Sequence, residues 1–92
     1  MYIITGYNGF IGKNFLQNTL INKKKILKLK RNLIKLKNIK NKEETIINFA
    51  ALYQKQSYSN DITKVIDANL IYPTKVLQTL IEQNNKIVFF NI

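Results

Sequence analysis

The sequence predicts an α/β domain, a parallel sheet of about four strands with helices on both faces. Short apolar runs alternate with segments of helical periodicity, so the strands need crossover connections and run parallel. All three glycines fall within "TGYNGFIG", residues 5–12, at the first strand-to-helix boundary. Hydrophobic residues make up 46% of the 92, the share of a globular chain rather than a disordered one. That length suits one domain, residues 1–92, with a modest core.

Residues 2–5, "YIIT", are apolar and stop at a glycine, as a buried strand does. Residues 10–22 place Ile11, Phe15, Thr19 and Ile21 near one face, with Leu16 and Leu20 beside it. That is a helical pattern, and Asn8 is a natural cap for it. Residues 25–30, "KILKLK", read as a second strand. Their polar–apolar alternation fits an edge strand with one wet face, and lysines there discourage edge pairing.

Residues 31–43 are basic with scattered Leu and Ile and predict no element. Residues 45–49, "TIINF", form a third strand. A polar loop follows, with caps available at Ser59, Asn60 or Asp61. Residues 62–83 then carry apolar residues at helical spacing, interrupted by Pro73, which predicts a kink or two abutting helices. Residues 86–90, "KIVFF", are a last strand, and "KIVFFNI" would leave an apolar, neutral edge open to pairing.

Composition excludes several chemistries. The chain has no cysteine, so disulfides and thiolate metal sites are out. It has no histidine, which removes the commonest general base and every Ser-His or Cys-His arrangement. The start, "MYIITG", lacks the basic leader and long apolar segment of a signal peptide, and no apolar run approaches the roughly 18 residues of a membrane span. A cytoplasmic protein without membrane partners is the expectation.

The net charge is +10, and ten of the fifteen basic residues lie between Lys23 and Lys42 with no acid among them. A nucleic-acid-binding module is one reading of this segment. Two facts weigh against it. Ile, Lys and Asn make up nearly half the chain, a bias that AT-rich coding alone produces. Only one Arg is present, and base-reading sites favour Arg.

The glycine stretch lies between a strand and a helix, the context a dinucleotide fingerprint requires. Gly6 permits the tight turn off the strand. Gly9 has no side chain to keep a pyrophosphate from the backbone. Gly12 lets the helix lie close to the strand. Open amides at the helix start, with the helix dipole, attract phosphate.

The spacing is Gly-x-x-Gly-x-x-Gly, and here the chain resembles the extended short-chain dehydrogenase/reductase family, the NAD-dependent epimerases/dehydratases. Members begin with a strand followed by "TGxxGFIG", matched by "TGYNGFIG". "NFAALY", residues 48–53, resembles the family stretch whose backbone lines the cofactor. "DANLIYPTKVLQTL", residues 67–80, resembles the family helix with a structural Asn, here Asn69. "KIVFFN" resembles the strand that leads into a Ser/Thr-bearing active-site loop. The "NxxxPTKxL" flavour is similar to members that modify nucleotide sugars.

The resemblance implies a partial, truncated Rossmann fold, about the first third of a typical member. It implies that Gly6, Asn8, Gly9, Phe10, Ile11 and Gly12 hold a pyrophosphate, largely by backbone. It also implies that Phe49, Ala50, Ala51 and Tyr53 line the nicotinamide side. An acid roughly 20 residues past the glycines binds the ribose hydroxyls in NAD enzymes. This chain instead has Arg31, 19 residues after Gly12, beside Lys30, and no acid before residue 43. Arg there favours a 2′-phosphate, so NADP is expected over NAD.

Family members work with a Tyr-x-x-x-Lys pair. The residues four positions after the tyrosines here are Gly6, Ile11, Ser57, Ile62 and Val76, and none is Lys. Turnover by this chain alone is therefore not expected. The expected partners are the dinucleotide and either a second chain supplying the C-terminal half or a second copy. A non-catalytic interaction domain pairing through the last strand is the remaining alternative.

Overall fold

The computed structural model describes residues 1–30, 33–39, 43–50, 62–83 and 85–92. Four parallel strands form one sheet in the order β2-β1-β3-β4. They are β1 (Tyr2–Thr5), β2 (Ile26–Leu29), β3 (Glu43–Asn48) and β4 (Lys86–Asn91). Tyr2 pairs with Ile26 and Thr45, and Thr5 with Leu29 and Asn48. The lysine-bearing strand β2 is at one edge, as its alternating pattern predicts, and the apolar β4 is at the other edge among the described residues.

The register divides the side chains between two faces. Ile3, Leu29 and Ile46 point to one face and join Tyr72, Val76 and Leu80 in the main core. Those three come from α3 (Tyr72–Glu82), whose apolar residues recur at four-residue intervals. Leu36, fully buried in the same cluster, belongs to a short 3₁₀ turn, Ile34–Asn38. The stretch with no predicted element thus carries a core residue; among its described residues it holds this 3₁₀ turn and, at Glu43, the start of β3.

The opposite face is covered by α1 (Phe10–Asn18). Its Phe15 ring meets that of Phe49 at a centroid distance of 5.3 Å. Helices therefore lie on both faces, and the partial Rossmann arrangement holds. The helix is shorter than the predicted 10–22. Thr19 is extended, and its hydroxyl accepts from the Ile21 amide at 3.2 Å, a local bond that competes with a further turn. Leu20, expected beside the apolar face, is fully exposed. The cap also differs. The N-cap is Gly9 rather than Asn8, and no side chain caps the helix.

Before α3 lies α2 (Ile62–Ile66), and a π turn, Asp67–Ile71, joins them. The Tyr72 amide bonds to the Asp67 carbonyl five residues back. Pro73 follows in the first turn of α3. Proline has no amide, and its ring presses on the carbonyl four residues earlier, so the wider turn accommodates it. The interruption expected at Pro73 is this change of helical register.

The strand ends carry a polar row. Thr5 donates its hydroxyl to Asn48 Oδ1, and Asn48 Nδ2 donates to Asn91 Oδ1 at 2.8 Å. At the other end of β3, Glu44 is buried, and among the described residues neither carboxylate oxygen is hydrogen-bonded. The Met1 ammonium lies 3.7 Å from its Oε2. No helix among the described residues is long and apolar enough to cross a membrane.

Candidate dinucleotide-binding site

The chain leaves β1 for β2 on one side and then places β3 on the other side of β1. The strand order reverses there, and the crevice outside the strand ends at such a point is where doubly wound sheets bind ligands. Gly6 ends β1 at this crevice and Ala50 follows β3.

The glycines differ in what the protein's own packing asks of them. Gly6 has φ +66°, a conformation L side chains rarely adopt. A Cβ there would also lie 2.4 Å from the Ala50 nitrogen. A Cβ on Gly12 would lie 2.3 Å from the Gly6 carbonyl oxygen. The turn and the helix–strand contact thus demand these two. Gly9 is otherwise. Its φ is −76°, and a Cβ would meet only the Gly6 carbonyl oxygen, at an ordinary 3.5 Å.

The helix start is open. Gly9 donates to the Gly6 carbonyl at 3.1 Å and accepts from Lys13 at 2.9 Å, closing the turn. Among the described residues no side chain caps α1 and no acid stands in its first turn, so its initial amides are open to an acceptor. A cavity of about 290 Å³ adjoins this turn, lined by Gly6, Tyr7, Asn8, Leu29, Lys30, Ala50 and Tyr72.

Of the predicted site residues, Gly6, Asn8 and Ala50 line that cavity. Gly9 caps α1, and Phe10 and Ile11 open it with exposed side chains. Gly12 is buried against the turn. Phe49 packs on Phe15. Arg31, Ala51 and Tyr53 lie outside the described residues, as do the loop caps Ser59, Asn60 and Asp61.

Tyr7, Leu29 and Tyr72 are cavity residues that sequence reasoning did not assign. Tyr72 donates its hydroxyl to the Lys30 carbonyl at 3.1 Å, across 42 positions of sequence. No local pattern signals this contact. In the sequence Lys30 stands out only as the neighbour of Arg31, and the structure puts it on the cavity wall.

A glycine turn between β1 and α1, at the reversal point of a parallel sheet, is the arrangement of dinucleotide-binding α/β domains. The model of the NAD dependent epimerase/dehydratase family matches residues 2–91, and the chain belongs to that family. The family is NAD-dependent, which supports a nicotinamide dinucleotide as the cofactor. Searches of curated proteins and of solved structures gave no match.

Proposed function

We propose that this chain binds NADP, and NAD less tightly, as the cofactor-binding part of a nucleotide-sugar epimerase, dehydratase or reductase, without turnover of its own. The observation that carries the reading is Gly9. It has ordinary room for a Cβ within the protein, so its bare backbone is best explained by a ligand that approaches it closely.

In this reading the pyrophosphate lies on the amides of the Gly6–Gly12 turn, attracted by the helix dipole. Asn8, Phe10 and Ile11 contribute there, mostly by backbone. Lys30 and Arg31 meet the adenosine phosphate. Phe49, Ala50, Ala51 and Tyr53 flank the nicotinamide side. A bound cofactor would supply hydride chemistry. The chain supplies binding and orientation, since it has no Tyr-x-x-x-Lys pair.

Paired titrations of NADP and NAD, followed by calorimetry, test this. NADP should bind more tightly, and Arg31→Ser should remove most of the difference. Equal or tighter binding of NAD by the unaltered chain overturns the NADP assignment. Absence of binding by both overturns the function.

A second reading rests on β4. Among the described residues its edge is unpaired in the sheet, and Val88, Phe90 and Ile92 are each more than half exposed. That supports pairing with a second chain or a second copy. A strictly monomeric chain at high concentration counts against it.

A further inference from the structure

A second cavity, of about 260 Å³, lies between α1 and the edge strand β2, lined by Leu16, Gln17, Lys23, Ile26 and Lys28. It shares no lining residue with the cavity beside the glycine turn. We infer that it binds a small amphiphilic carboxylate, whose charge meets Lys23 and Lys28 and whose apolar body lies on Leu16 and Ile26.

The topology leaves this space open. β2 is outermost, and β3 lies on the far side of β1. The connection from β2 toward β3 puts Leu36 into the core on the α3 face. Ile26 and Lys28 point the other way, toward α1, since they alternate with Leu27 and Leu29. Among the described residues no second helix lies beside α1 over this flank.

The lining is two-natured. Leu16 and Ile26 are half-buried and give an apolar floor. Lys23 and Lys28 are exposed cations at the rim. No acid occurs before residue 43, and among the described residues neither lysine is in an ion pair. The backbone of the lysine turn is held by Asn22, whose Oδ1 accepts from the Lys24 amide at 2.9 Å. Two cations without an acid beside them favour an anion, while the floor favours a hydrocarbon. The volume lies just below the usual range for drug-sized ligands, which fits a short chain or a single ring.

Lys28 also provides a reporter. Its Nζ lies 5.6 Å from the centroid of the Tyr7 ring, a cation–π distance. An anion that engages Lys28 alters the charge over that ring.

The test is an NMR titration of the full chain with hexanoate, with hexan-1-ol and inorganic phosphate as comparison probes. Hexanoate should give saturable shifts at the Leu16 and Ile26 methyls, the Lys23 and Lys28 side chains and the Tyr7 ring. Each comparison probe should bind at least about fivefold more weakly, since each lacks one half of the recognition. Lys23→Gln and Lys28→Gln should each weaken hexanoate about tenfold, the loss of one charge-assisted contact. Lys24→Gln, an exposed neighbour outside the cavity, should leave it unchanged. Shifts spread evenly over all lysines, equal affinity for hexan-1-ol or phosphate, or unaltered binding by both cavity variants would each overturn the proposal.

Discussion

The Gly6 carbonyl oxygen lies 2.3 Å from the point that a Cβ on Gly12 would occupy. The clash is with backbone, which cannot rotate away, and the Tyr7 Cα is 2.8 Å from the same point. Gly12→Ala would ordinarily stabilise a helix interior by about 1 kcal/mol. Here the sign should reverse. We expect a loss of about 2 kcal/mol or more from overpacking, read as a lower urea midpoint. A stability equal to or above that of the unaltered chain would refute this account of helix–strand contact.

Gly9 gives the opposite pairing of effects. Gly9→Ala should change the urea midpoint little, because a Cβ there has ordinary room. Its effect should fall on the cofactor, with dinucleotide affinity reduced at least about tenfold, or about 1.4 kcal/mol. Calorimetric titration of the folded variant checks this. Unaltered affinity would remove Gly9 from the site.

Tyr72→Phe deletes the hydroxyl that bonds to the Lys30 carbonyl. A loss of about 0.5–1.5 kcal/mol in stability is expected for one such bond. Cofactor binding should weaken as well, because the bond holds the end of β2 at the cavity wall. Chemical denaturation and NADP titration on the same variant separate the two effects. A stability loss with unchanged binding would make Tyr72 purely structural.

Glu44 is a buried carboxylate without a hydrogen bond among the described residues, and the nearby Met1 ammonium keeps partial access to water. Removing the carboxylate therefore leaves no buried cation stranded. Glu44→Met keeps the volume and ends the desolvation cost, so stability should rise by about 1–3 kcal/mol. A fall in the thermal midpoint would show that the ion pair contributes more than its burial costs.

Much of this architecture is legible in local pattern. Ile3 and Ile4 are both buried, one on each face, as an apolar run ending at a glycine implies. "KILKLK" announces a wet edge by alternating, and β2 is one. The three glycines mark the turn. Leu36 was not legible, because its basic neighbours mask it and a 3₁₀ turn has no long period to detect. The π turn before Pro73 was not legible either, since one extra residue per turn leaves the apolar spacing nearly intact.

Order and kind of the strands and main helices, the parallel sense of the strands and the place of the glycine turn were encoded in local pattern. Backbone preference and hydrophobic period act over a few residues and can be read there. The sequence assigns each glycine a duty, and the packing that imposes those of Gly6 and Gly12 was decided in three dimensions. Gly6 is required by its positive φ and by the Ala50 backbone, and Gly12 by the backbone of Gly6 and Tyr7, whereas Gly9 has room. The Gly6–Ala50 contact joins segments far apart in the chain, and no local window contains it. The same is true of the Tyr72–Lys30 bond and of the lysine-rimmed cavity beside α1, which exist because the sheet order brings distant segments to one place.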